Sequence, residues 1–284
     1  MLGITTMLRA TRPAVQRFGF LPPLLLACAS ATASRADTGS LTVTISPPEA
    51  VAAGAQWRVG TGPWRTSGET EPNVAVGFQI LTFKNTLGWV TPPNIAVTIQ
   101  SGEVANSEST YAEPGYVIPW GYNNFGQCDV VAPNDGFVAI ACGDHHSLGL
   151  RADGSVAAWG ANDHGECNVP TPNSGFVAIA AGSSRSVALR ADGSLIAWGD
   201  APTYVPTPNS DFVGIACGGA HNLGLKADGS IVGWGECTYG ECSVPTPNRG
   251  FVAVTAGYRF SLGLRADGSI VGWGDNYYGQ FTVP

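Results

Sequence analysis

Short apolar runs broken by polar and turn-forming residues follow one another along this 284-residue chain, and from Phe137 onward one such pattern is written four times. The copies are Phe137–Trp159, Phe176–Trp198, Phe212–Trp234 and Phe251–Trp273. Each reads approximately Phe-Val-x-Ile-Ala-x-Gly, a few variable or polar positions, Ser-Leu-x-Leu-[Arg/Lys]-Ala-Asp-Gly-Ser, three mostly apolar residues and Trp-Gly. Successive Phe residues lie 39, 36 and 39 apart, the short interval reflecting a three-residue deletion between Trp198 and Pro206. Self-similarity at this period marks a repeat architecture.

The pattern within a copy predicts four short strands and no helix. In the second copy they fall around Cys167–Val169, Phe176–Ala180, Ser186–Leu189 and Leu195–Trp198. Asp-Gly recurs at 153–154, 192–193, 228–229 and 267–268, so Gly154, Gly193, Gly229 and Gly268 sit in predicted type I′ hairpin turns, whose central positions need positive φ. Four strands in about 39 residues is the size of a propeller blade. The Phe and Trp residues (Phe137, Phe176, Phe212, Phe251; Trp159, Trp198, Trp234, Trp273) are then expected between adjacent sheets. Tyr116–Trp120 reads as an extra strand ending in Trp120, and a half-motif runs to Pro284.

Residues 39–112 lack the repeat. Period-two alternation at Leu41–Ile45, Gln56–Val59 and Ala96–Ile99 predicts half-buried strands, and Trp57, Trp64, Phe78, Phe83 and Trp89 provide aromatic bulk for one small β-sandwich-like module. Before it, residues 1–36 read as a secretory signal peptide: Arg9, Arg12 and Arg17 precede a short apolar stretch interrupted by Pro22 and Pro23. Leu25–Cys28 also resembles a lipoprotein signal, a minor reading in which Cys28 carries lipid. The expected organisation is therefore signal 1–36, sandwich-like module 39–112 and repeats 116–284, with no transmembrane segment and a secreted, periplasmic or cell-surface location.

Charge and cysteine content narrow the function classes. Removal of four signal-peptide arginines leaves ten basic against 21 acidic residues, about −11, which argues against a nucleic-acid partner. Cys237 and Cys242 flank one loop and are the expected disulfide, whereas Cys142 and Cys217 occupy equivalent repeat positions and read as small buried residues. His146 and His221 share a register position with Arg185 and Phe260, which suits structural hydrogen bonding better than a metal ring. Each recurrent Asp is followed by Gly-Ser, as in a turn rather than a calcium loop. No cofactor, metal or catalytic constellation is expected.

The motif Trp-Gly-x-Asn-x-x-Gly-[Gln/Glu]-Cys-x-Val-Pro, followed by Phe-Val-Ala-Ile-Ala-x-Gly-x-x-His-Ser-Leu, resembles the repeat of the RCC1 (regulator of chromosome condensation) family. It is more closely similar to the short bacterial type found in the propeller-type β-lactamase inhibitory protein. The Trp-Gly pairs, Asn123, Asn162 and Asn276, Gly126, Gly165, Gly240 and Gly279, and His146 and His221 carry the likeness. The resemblance implies an all-β, RCC1-like propeller of antiparallel blades, usually seven of them. Four full units plus surplus strands leave a compact ring, an open arc and a ring of two chains open, with the N-terminal module or a second copy as a cap. The nucleotide-exchange activity named for the family does not transfer with the fold.

Positions that differ between copies are the candidate binding surface. One set follows Trp-Gly and holds Tyr122, Phe125, His164, Tyr204, Tyr239, Tyr277 and Tyr278; the other follows the recurrent Gly143, Gly182, Gly218 and Gly257 and includes Tyr258 and Arg259. Tyr and Phe beside acids such as Glu166, Glu236 and Asp275 suit a protein partner, and a carbohydrate could stack on similar rings. The expectation is a secreted or cell-surface protein-binding scaffold, with a homodimer that completes or caps the propeller also open. The alternatives are an adhesion protein without a pocket and a carbohydrate-active propeller enzyme.

Overall fold

A computed structural model describes residues 37–200 and 204–282. The signal-peptide and Cys28 readings fall outside these residues. The N-terminal module is built from β1 (Thr38–Ser46), a one-turn helix α1 (Pro48–Ala52), β2 (Trp57–Val59), β3 (Thr70–Ala75), β4 (Gly77–Phe83), β5 (Ile95–Ile99) and β6 (Val104–Thr110). Two sheets, β3-β1-β6 and β2-β4-β5, enclose one core containing Leu41, Val43, Trp57, Leu81, Phe83 and Tyr111. The pairing of β1 with β6 is parallel. Two details depart from the sequence pattern. Pro48 at the first turn, where its missing N–H costs nothing, allows the short α1. Phe78 is 67% exposed because it lies on the face of β4 opposite Leu81 and Phe83, which turn into the core.

The repeats form four three-stranded antiparallel sheets. Blade 1 contains β7 (Phe137–Cys142), β8 (His146–Arg151) and β9 (Val156–Gly160). Blade 2 contains β10 (Phe176–Ala181), β11 (Arg185–Arg190) and β12 (Leu195–Gly199). Blade 3 contains β13 (Phe212–Cys217), β14 (His221–Lys226) and β15 (Ile231–Gly235), and blade 4 contains β16 (Phe251–Ala256), β17 (Phe260–Arg265) and β18 (Ile270–Gly274). The strands expected at Cys167–Val169 and Tyr116–Trp120 are absent. At 162–169 the backbone bonds locally instead: Cys167 N–H donates to Asn162 Oδ1 (2.9 Å) and Val169 N–H to the Cys167 carbonyl (3.0 Å). Val117 has no neighbouring strand; its N–H and carbonyl are held by the Asn134 side chain at 2.9 Å each.

The Asp-Gly hairpins also differ from type I′. Only the glycine has positive φ (+78° at Gly154), and Arg151 N–H bonds to the Ser155 carbonyl around a three-residue loop. This is a type I turn followed by a left-handed glycine. The Asp153 carboxylate accepts the Ser155 N–H and hydroxyl, which hold it below the usual carboxylate range; Asp192, Asp228 and Asp267 repeat the arrangement.

Apolar packing joins each blade to the next. Leu148, Leu150 and Val156 of blade 1 meet Phe176 and Trp198 of blade 2; Val187, Leu189 and Leu195 meet Phe212 and Trp234; Leu223, Leu225 and Ile231 meet Phe251 and Trp273. The recurrent glycines allow the tight approach: a Cβ on Gly143 would collide with the Gly182 carbonyl and the His146 ring. Packing is incomplete on the outward faces of the first and fourth blades. Ile270 is 48% exposed, whereas its counterparts Val156, Leu195 and Ile231 are buried, and Ile140 on β7 is 60% exposed. Cys142 is exposed for the same reason, contrary to its reading as a buried residue. Cys217, at the equivalent position, packs towards Gly182 of the preceding blade, and burial pushes its thiol up to about 12.

Candidate functional site

In a three-stranded meander the loop joining strands one and two and the exit from strand three share an end. Backbone hydrogen bonds fix that geometry in every blade. Ala161 N–H donates to His145 O, Asp200 to Ser184 O, Glu236 to Ala220 O and Asp275 to Arg259 O, each at 2.9 Å. The two sets of variable loops therefore form one rim.

The N-terminal module occupies the opposite end. Arg58 Nη1 donates to the Ala227 carbonyl (3.2 Å) beside the Asp-Gly turn of blade 3. Leu87 Cδ1 sits 2.9 Å from where a Cβ on Gly154 of blade 1 would be, and Gly60 lies as close to Ala266 of blade 4. A cavity of about 800 Å³ lies between module and blades, bordered by Arg58, Trp64 and Lys84 on one side and Val177, Val213 and Val252 on the other. Arg58 stacks on Trp64 at 4.5 Å, and burial lowers its pKa. The carboxylates bordering the cavity are engaged: Asp192 accepts from Ser194, and Asp211 from the Ser210 hydroxyl.

The rim itself is aromatic and exposed. At the blade 1 end, Tyr122 lies 6.2 Å from Phe125, whose ring stacks on His145 at 4.3 Å. His145 belongs to the second loop set, so the fold joins the two sets here. His164 Nδ1 lies 3.9 Å from Asp200. Tyr204 is exposed and makes none of these ring contacts. At the blade 4 end, the Arg259 guanidinium lies 4.3 Å over Tyr239 and 5.3 Å over Tyr258. Tyr277 and Tyr278 meet edge to face at 4.8 Å and are 83% and 85% exposed. Trp120, 86% exposed, differs from the other motif tryptophans, which are buried: Trp198, Trp234 and Trp273 between blades, and Trp159 with its Nε1 donating to the Gln127 carbonyl.

Asparagine side chains hold the rim loops in shape. Asn162 Oδ1 accepts the Cys167 N–H, and Asn123 Oδ1 accepts that of Cys128 (2.7 Å). In the third copy, the position of Asn162 is taken by Cys237, which forms a disulfide with Cys242. A covalent bond there closes the same loop that a hydrogen bond closes elsewhere.

Beneath the rim, His146 Nε2 lies 3.0 Å from Ser186 Oγ of the next blade, and His221 Nε2 lies 2.9 Å from Ser261 Oγ. Ser186 donates to the Glu166 carbonyl (2.9 Å), so His146 must supply the proton from Nε2; its Nδ1 is buried without a hydrogen-bond partner among the described residues. Burial lowers both imidazole pKa values and favours the neutral rings. These histidines latch blades together. Among the described residues, no three His, Cys, Asp or Glu side chains gather as a metal cluster. The latch and the asparagine clasps were not legible as pairs in the sequence, although their recurrence at fixed repeat positions was the signal that could have found them.

Blade-shaped sheets packed face to face, with variable loops on one rim, define an RCC1-like propeller segment. Its repeats are RCC1 repeats: the family model for the regulator of chromosome condensation (RCC1) repeat matches residues 137–166, 176–202, 212–241 and 251–280. No curated protein matches the chain. Among solved structures, yeast RCC1 (Prp20) bound to Kap60 is 24% identical over 52% of this chain and 45% of that chain, with a TM-score of 0.46. Prp20p from Saccharomyces cerevisiae, whose crystal structure was described together with its binding to Gsp1p and histones, is 21% identical over 58% of this chain and 54% of that one, with a TM-score of 0.48. The CRINKLY ectodomain of the Arabidopsis thaliana receptor kinase ACR4 is 27% identical over 52% of this chain and 51% of that one, with a TM-score of 0.41. The chain spans about half the length of these proteins.

Proposed function

We propose that this chain is a secreted or cell-surface scaffold that holds a protein partner on its variable-loop rim. The observation that supports this most is the placement of both variable loop sets at one end of the blades, with the N-terminal module at the other. Tyr122, Phe125, Tyr204, Tyr239, Tyr258, Tyr277 and Tyr278 are all at least 43% exposed there. Exposed aromatics on a stiff scaffold supply contact area at little cost in ordering, which is how binding hot spots are built. The signal-like residues 1–36 are the reason to place the scaffold outside the cytoplasm. The repeat pattern also suits the short bacterial type of RCC1 repeat.

The test is to replace Tyr239, Tyr277 and Tyr278 with Ala together and measure retention of partners from the native secreted fraction. Retention should fall at least about tenfold, the scale expected when hot-spot aromatics are truncated. Unchanged retention by a folded variant would overturn the reading.

The exposed Ile140 and Ile270 support a second, compatible reading, in which another copy of the chain covers the outward faces of blades 1 and 4.

A further inference from the structure

We infer that the partner surface held by this rim is an arginine-rich protein segment; the inference rests on the rim being the binding surface. The rim carries the exposed acids Asp144, Asp163 and Glu236, and half-exposed Asp200 and Asp275. Its two arginines are already engaged, and they show how the rim receives a guanidinium. Arg259 lies over the faces of Tyr239 and Tyr258. Arg185, buried below, has its Nη2 4.0 Å from Asp200 and 3.9 Å from Glu236. Ring faces and carboxylates are the two partners a planar guanidinium binds best.

Two further aromatic groups are open. Tyr277 and Tyr278 lie two and three residues after Asp275, and His145 of the Tyr122–Phe125–His145 group follows Asp144 in the chain. Among the described residues, no Arg or Lys lies over these rings. The opposite end is different. There every blade places its own cation over its own Phe: Arg151 on Phe137, Arg190 on Phe176, Lys226 on Phe212 and Arg265 on Phe251, at 4.0–5.4 Å. Surplus negative charge and uncovered rings therefore coincide at the rim, and a cationic segment supplies what both lack.

The test uses the whole chain and three probes: a nona-arginine peptide, a nona-glutamate peptide and an uncharged Gly/Ser peptide of equal length, titrated by calorimetry at low and at physiological salt. Three variants are compared. The rim-charge set is Asp144→Asn, Asp163→Asn and Glu236→Gln; the ring set is Tyr277→Ala with Tyr278→Ala. The control set, Glu103→Gln, Glu108→Gln and Asp135→Asn, removes the same charge from exposed positions away from the rim. Only the arginine peptide should bind, the rim-charge and ring sets should each weaken it about tenfold, and the control set should change it less than about twofold. Equal weakening by rim and control sets would mean attraction by overall charge alone and would overturn the inference. So would failure of the arginine peptide to bind a chain whose native partner is lost on Tyr→Ala replacement, an outcome that leaves the rim reading standing. Native retention indifferent to the tyrosines would remove the rim reading itself.

Discussion

The junctions between blades 1 and 2 and between blades 3 and 4 are built alike, and the junction between blades 2 and 3 is not. In the first two, one loop carbonyl ties the next blade in place. Glu166 O accepts from Ser186 Oγ and Trp198 Nε1 (2.9 and 2.8 Å), and Glu241 O accepts from Ser261 Oγ and Trp273 Nε1 (2.8 and 2.6 Å). The deletion between Trp198 and Pro206 removes the equivalent residue from the middle junction. There Asn222 stands where the serine would be, and the buried Asn222 Oδ1 and Trp234 Nε1 have no hydrogen-bond partner among the described residues. Arg185 replaces the histidine and donates to Ala220 O and Asp200 O. Apolar packing across the middle junction is otherwise the same, with Leu195, Phe212 and Trp234 all buried. Burial of apolar surface thus suffices to stack the blades, while the loop carbonyl decides whether their polar groups are satisfied.

Rebuilding the middle junction should have the largest effect. Lengthening the 199–205 loop by the three missing residues in the pattern of 161–168, together with Asn222→Ser, gives Trp234 Nε1 a carbonyl partner and replaces the orphaned amide oxygen with a hydroxyl that can donate to the same carbonyl. Unfolding free energy should rise by about 3 kcal/mol, since each buried unsatisfied group costs about 1–3 kcal/mol. Urea unfolding measures this, and no gain would mean that the two groups are satisfied in solution.

A smaller contrast comes from the tryptophans. Trp273→Phe loses packing and a hydrogen bond, whereas Trp234→Phe loses packing but also removes an unsatisfied donor. The first should cost about 1.5 kcal/mol more than the second. Equal costs would erase the distinction between the junctions.

The smallest effect is on pH dependence, and it belongs to the two latched junctions only. His146 and His221 have folded pKa values below the ordinary 6.5 because burial disfavours the charged ring. At low pH the unfolded chain therefore binds more protons. The latch contribution is fully present above about pH 6.5 and is lost as pH falls through the folded values. The thermal midpoint should drop between pH 7 and pH 5, and His146→Gln with His221→Gln should flatten that drop. An identical slope in the variant would show that the rings titrate as they do when exposed.

Much of the scaffold is legible residue by residue. Phe137–Cys142 and Val156–Gly160 are strands because they are short, nearly continuous apolar runs bounded by turn residues, Asp135-Gly136 and Gly143 around the first and Asp153-Gly154 before the second. Cys167–Val169 looks equally strand-like over three residues, but Asn162 supplies a local hydrogen bond that outcompetes a ladder. Of the rim, the variable positions could be picked out by comparing copies, because a rigid core leaves only its loops free to differ. Which of them touch was not legible. Phe125 and His145 lie in different loop sets, and only the meander brings their rings to 4.3 Å.

By itself the sequence determined the repeat, its period, the three strands of each blade from Phe to Trp-Gly and the positions that vary, because these follow from local apolar runs and turn chemistry. Tertiary structure alone decided that both loop sets share one end, that the N-terminal module takes the other, and that Ile140 and Ile270 lie on outward faces with no blade against them. These are properties of how sheets stack. Stacking depends on contacts between residues about 40 positions apart, such as His146 with Ser186, which no local pattern encodes.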